Sequence, residues 1–248
     1  MKKLLTVLLS ALMLLTLAAC SSNNDTVCVQ KTDEELMAEG WTKDTTVALP
    51  ELTVDTNATY KKSKEDTTDT ACEVGVFSAD CGSVNKTNLF DYMGRDDVLY
   101  IDLRDFSDYT KKHLRNFECI PYFAYIFDAE AGTEGKPQLF GGSVTEPVAT
   151  YEESLSLLKE LFPQDKTIFL MCQSGGRVAQ CMNLLNALGW DMSKIYNVGG
   201  MGQYTDAGFE PYVVDAAECT VTATYSFEGL TPAMQSKFEF VEAIRPQC

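Results

Sequence analysis

The sequence predicts an α/β fold, a parallel sheet with helices packed on both faces, and two observations carry that expectation. Val98-Leu99-Tyr100-Ile101, Thr167-Ile168-Phe169-Leu170-Met171 and Ile195 to Val198 are apolar without alternation, as strands buried on both sides must be. Stretches with apolar residues at helical spacing separate them. Strand–helix alternation selects parallel pairing through helical crossovers.

Taken in order, Lys86 to Met93 is expected to be helical, with Gly94 ending it. The run Val98 to Ile101 leads into Asp102-Leu103-Arg104, a polar strand end at the sheet edge. Phe106, Tyr109 and His113 recur at helical spacing behind Asp105 and Asp108. A second strand is read over Phe117 to Pro121. Glu130 to Ala149 holds four Gly and two Pro in a polar stretch and is read as an inserted loop. Tyr151, Leu155, Leu158, Leu161 and Phe162 share a helix face that Pro163 terminates. Val178, Cys181, Met182, Leu185 and Leu188 mark the next helix face, closed by Gly189.

The 248 residues carry 36 acids against 20 Lys and Arg, a formal charge of −16. So acidic a surface repels nucleic acid and anionic lipid, and no nucleic-acid partner is expected. At 45% hydrophobic residues the chain can bury a core, which excludes wholesale disorder.

Lys2 and Lys3, the apolar run Leu4 to Leu17 and the sequence Leu17-Ala18-Ala19-Cys20 form an export signal over residues 1–19. The tetrapeptide resembles the lipobox of bacterial lipoproteins. That resemblance implies acylation of Cys20 and a location on the extracytoplasmic face of the cell membrane, with the lipid as the sole membrane contact. Residues 20–82 read as an acidic tether: from Ser21 to Gly82 there are eleven Thr and 13 acids against 5 bases. A short helix over Asp33 to Ala38 and a stapled loop closed by Cys72 and Cys81 are expected within it. The ordered domain is placed at 83–214 and a C-terminal extension at 215–248, where Val221, Ala223, Tyr225 and Phe227 alternate with polar residues as in an edge strand.

Chemistry concentrates at Cys172-Gln173-Ser174-Gly175-Gly176-Arg177, between a buried strand and a helix. Such a junction points backbone N–H groups and the positive helix end at one spot, so a thiolate, a persulfide or an oxyanion is stabilised there. Gly175 and Gly176 permit close backbone approach, and Arg177 adds a fixed cation with a planar donor fork.

Leu99-Tyr100-Ile101-Asp102-Leu103-Arg104, then Phe106, Tyr109, Lys112-His113-Leu114 and Ile120-Pro121, then Cys172 to Arg177 and Asn197-Val198-Gly199-Gly200 resemble a rhodanese domain over about Ser83 to Val214. The resemblance implies a sulfurtransferase: Cys172 attacks a sulfane-sulfur donor such as thiosulfate, carries the sulfur as a persulfide and passes it to a thiol or cyanide. Gln173, Ser174, Gly175, Gly176 and Arg177 would then cradle the substrate, with Asp102, Arg104 and His113 in support. A small sulfane-sulfur donor and a thiol acceptor are the partners this implies.

Two other functions stay open at this level. Phosphatases and arsenate reductases with a cysteine–arginine loop place five residues between the two, whereas four stand here, a tighter ring suited to a persulfide. A binding module that keeps the fold without turnover is the third reading. Val178 in place of a serine, and Asn116-Phe117 in place of Gly-Ala, depart from the family pattern.

His113 is the one histidine, so no metal and no cofactor are expected, and a structural hydrogen-bonding role suits it. Asp102 and Arg104 are expected to order the strand end, and Cys181 to be a core thiol. Setting aside Cys20, Cys172 and Cys181, the cysteines 28, 72, 81, 119, 219 and 248 allow fifteen pairings. Cys72–Cys81 is the local candidate, while Cys119, in a strand, is equally compatible with a buried thiol.

Overall fold

A computed structural model describes residues 47–205 and 207–215. The export signal, Cys20, Cys28, the helix at 33–38, the strand at 221–227, Cys219 and Cys248 lie outside them.

The chain order is β1 (Thr59–Tyr60), β2 (Thr70–Ala71), β3 (Val98–Asp102), α1 (Phe106–Tyr109), β4 (Lys112–Leu114), β5 (Glu118–Cys119), β6 (Phe140–Gly142), β7 (Pro147–Ala149), α2 (Ser154–Leu161), β8 (Thr167–Cys172), α3 (Gly176–Ala187), β9 (Ile195–Gly200) and β10 (Val213–Asp215). The central sheet is parallel, in the order β5-β3-β8-β9. Its register sets Ile101 beside Leu170 and Asp102 beside Met171, and a shift after Leu170 brings Cys172 opposite Gly200.

Side chains alternate across the sheet with period two, and both sets are buried. From β8, Ile168, Leu170 and Cys172 face a core completed by Leu157, Leu158 and Leu161 of α2 and by Val178, Cys181 and Leu185 of α3. Phe169 and Met171 face the other way, onto Leu89, Tyr92, Leu114, Phe117, Tyr204 and Phe209. Two helices cover the first face. The second is covered by 3-10 turns, at Leu89–Tyr92, Met201–Gln203 and Ala207–Tyr212. No helix among the described residues is long and apolar enough to cross a membrane.

Several local expectations are corrected. The helix anticipated over 86–93 is one 3-10 turn. That anticipated through His113 ends at Tyr109, because Lys112–Leu114 pairs antiparallel with Val213–Asp215, about a hundred residues away. The strand read over 117–121 shortens to two residues. The face of α2 is built on Leu157, with Leu155 40% exposed. The inserted loop contains the hairpin β6–β7, which carries Phe140 into the core beside the neighbouring Leu139. Asn116 adopts a φ of 67°, a left-handed conformation that asparagine tolerates better than most residues.

The largest correction concerns the tether, whose last part, residues 47–82, is packed onto the domain. Cys72 and Cys81 form a disulfide with Cα atoms 5.5 Å apart and bury with Val54. The backbone carbonyls of this segment accept from the domain: Val47 from Arg95 Nη1, Pro50 from Tyr196 Oη at 2.8 Å, and Phe77 from Asn197 Nδ2 at 2.8 Å. A polar, Thr-rich composition signals low apolar content. It does not register main-chain acceptors that a neighbouring surface can satisfy.

Candidate active site

β8 ends at Cys172, and Gln173, Ser174 and Gly175 turn the chain into α3. The Gly175 N–H donates to Cys172 Sγ at 3.1 Å, and the thiol residue is 2% exposed. Sulfur therefore sits inside the loop, with a backbone N–H directed at it.

Four contacts hold the loop in shape. Gly175, at φ 86°, begins the helix in the left-handed region, and a Cβ there would lie 2.2 Å from Ala79 Cβ. Nothing lies within 4 Å of a Cβ built on Gly176, so of the two loop glycines Gly175 is the one the backbone requires. A Cβ on Gly200 would meet the Gln173 carbonyl carbon at 2.3 Å, and Gly202 N donates to Gln173 O at 3.0 Å. The end of β9 is the floor on which the loop rests. Asn197, 3% exposed, donates through Nδ2 to Phe77 O and at 3.2 Å to Gly175 O, while its Oδ1 accepts from Gly199 N.

Arg177 reaches across to the end of β3. Its Nη1 donates to Leu103 O at 2.9 Å and lies 3.8 Å from Asp105 Oδ2, and its Cζ stands 5.0 Å from the centre of the Phe123 ring. Phe123, on a single π-helical turn at Tyr122–Ile126, is 42% exposed. The guanidinium is thus a partly buried cation at the rim of the loop, with one donor committed to the protein.

Asp102 and Arg104 form a buried pair at the same sheet edge. Arg104 Nε is 2.9 Å and Nη2 2.7 Å from Asp102 Oδ2, and Nη2 also donates to Lys112 O at 2.6 Å. Burial pushes the Asp102 carboxyl up, against the pull of Arg104. The pair holds the Leu103 turn whose carbonyl receives Arg177, so it touches the cysteine loop through that arginine. Cys119, next to Asp102 in the sheet, is a free thiol donating to Arg104 O at 3.4 Å, and burial pushes its pKa up. Burial raises Cys181 likewise.

His113 stands apart from the loop. Its Nδ1 lies 2.8 Å from Tyr109 O, and its ring stacks on Tyr109 at 3.9 Å. Burial lowers its pKa to about 4, so it is neutral near pH 7. Among the described residues no group of three or more His, Cys, Asp or Glu is arranged to hold a metal ion.

The structure therefore brings Cys172 to Arg177 together with Leu103, on the turn held by Asp102 and Arg104, and leaves His113 outside. Composition and spacing alone assign no role to Asn197, Gly200, Gly202, Phe123 or Ala79. Asn197 and Gly200 did stand in a conspicuous Asn-Val-Gly-Gly string, whereas nothing local marks Phe123 or Ala79.

Residues 86–207 match the family described as Rhodanese-like domain. A solved structure described as "rhodanese with anions from E. coli" is 17% identical, with a TM-score of 0.28; the alignment covers 48% of this chain and 98% of that one. No curated protein matches the chain.

Proposed function

We propose that this protein, whose residues 86–207 form a rhodanese-like domain, is a sulfurtransferase working through a persulfide on Cys172. The observation that carries the reading is the Gly175 N–H directed at Cys172 Sγ within a loop of four residues between Cys172 and Arg177. The Cys172 thiolate attacks the outer sulfur of thiosulfate, the sulfur–sulfur bond breaks, and sulfite leaves with the electron pair. An acceptor thiolate then attacks the outer sulfur of the persulfide and Cys172 departs as thiolate. In both steps negative charge passes over the cysteine sulfur, where the Gly175 N–H stabilises it.

Mass spectrometry after thiosulfate treatment tests this. We expect one added sulfur on Cys172, lost on adding a thiol, absent in Cys172→Ser and retained in Cys181→Ser. Turnover of a phosphate ester or arsenate with no sulfur loading would favour the phosphatase or arsenate reductase reading. The low exposure of Cys172 supports a non-catalytic binding module as second reading, and a wild-type protein that takes up no sulfur and turns over neither substrate would establish it.

The same proposal includes lipidation at Cys20 and attachment to the extracytoplasmic face of the membrane, supported by the Leu17-Ala18-Ala19-Cys20 sequence. Cys20→Ala should lose lipid label and either leave the membrane fraction or stay unprocessed.

A further inference from the structure

The chain is strongly acidic, yet three of its 20 bases, Lys61, Lys62 and Lys64, fall within one tetrapeptide. All three are exposed and line a cleft of about 900 Å³. Ser174, Gly175 and Gly176, from the loop that begins at Cys172, line it too. Two acidic residues, Asp69 and Asp80, also face it, so lysines outnumber acids there, the reverse of the balance in the whole chain.

One further feature separates these lysines from a solvated charge run. Like several other lysines, Lys61, Lys62 and Lys64 make no ion pair with any described residue, but their loop is placed by the fold: β1 and β2 pair at its ends, Ser63 N donates to Asp66 Oδ2 at 2.9 Å, and the Cys72–Cys81 disulfide follows directly. Unpaired cations held beside a nucleophile's loop form a recognition surface for negative charge.

The cleft volume falls in the range of sites for drug-sized molecules, far more than a thiosulfate ion fills. We propose that it seats the sulfur acceptor, a small thiol carrying two or more carboxylates, with the three ammonium groups binding the carboxylates beside the loop. This rests on the sulfur-transfer reading. The acceptor thiolate bonds to the outer sulfur of the Cys172 persulfide, the bond to Cys172 breaks, and Cys172 leaves as thiolate. The acceptor departs as its persulfide, with no net oxidation.

The test loads the protein with thiosulfate, removes excess donor and follows persulfide discharge to mercaptosuccinate and to 2-mercaptoethanol. It compares wild type with Lys61→Ala/Lys62→Ala/Lys64→Ala. Three exposed charges at one ligand are expected to lower the ratio of kcat/KM for the dianionic over the neutral thiol by about tenfold, and about 0.5 M salt to erase most of the difference. An unchanged ratio overturns the proposal. If thiosulfate loads no sulfur, the sulfurtransferase reading fails, and equilibrium binding of mercaptosuccinate then judges the cleft by itself. Saturable binding weakened about tenfold in the triple variant supports it as an anion site, and equal or absent binding overturns it.

Discussion

At the scale of single residues, the site is governed by what each polar group is already bonded to. Arg177 has committed Nη1 to Leu103 O and leans on Phe123, so it both braces the loop and supplies charge at its rim. Arg177→Ala is expected to raise KM for thiosulfate by about one to two orders of magnitude, the scale of a lost charge-assisted hydrogen bond. The rise should be smaller for an uncharged sulfane-sulfur donor. Steady-state kinetics with both donors check this, and equal losses would mean that bracing dominates. His113, in contrast, is a buried neutral ring whose pKa drops from about 6.5 to about 4 on folding. Between those values the unfolded chain binds the proton and the folded one does not, so stability is complete above pH 6.5 and declines as the pH falls towards 4. The full effect is about 3 kcal/mol. Urea unfolding from pH 7.5 to 5 should show the decline, and His113→Gln should flatten it.

At the scale of elements, the Cys72–Cys81 staple is as the sequence leads one to expect, and the packing of its segment onto the domain is the unexpected part. The disulfide closes a loop over a separation of nine residues, for which the chain-entropy account gives about 2.5 kcal/mol. Next to it, Ala79 packs on Gly175 and Phe77 O accepts from Asn197. Cys72→Ala/Cys81→Ala is therefore expected to speed amide exchange over residues 54–82 and at Gly175, with β3 and β8 still protected. Unchanged exchange at Gly175 would show that β9 and Asn197 alone hold the loop. Three strands of the central sheet, β3, β8 and β9, were legible because each carries an apolar run, and that pattern belongs to the strand itself. The hairpin β6–β7 and the pairing of β4 with β10 were not, since β4 is three residues long and its partner comes from the far end of the domain.

At the scale of the molecule, the domain boundary lies before residue 83. Pro50 and Phe77 accept from Tyr196 and Asn197, Thr53 Oγ1 donates to Met192 O, and Val47 accepts from Arg95. Starting the chain at 83 removes four such bonds, worth about 4 kcal/mol together, and should lower Tm by about 10 °C. A start at 47 should leave it near that of the full chain. Thermal unfolding of the two truncations decides between a packed segment and a tether.

What the sequence determined by itself is whatever rests on short-range pattern. The buried strands, the helices α2 and α3, the placement of Cys172 between a strand and a helix, and the count of four residues to Arg177 all follow from spacing that a neighbouring residue reads directly. Tertiary structure alone decided which groups meet: Leu103 with Arg177, Asn197 with Phe77 and Gly175, Ala79 with Gly175. Such contacts are set by main-chain carbonyls and by shape. Every residue carries a carbonyl, so composition is blind to which ones are used, and a packed segment can have the composition of a tether.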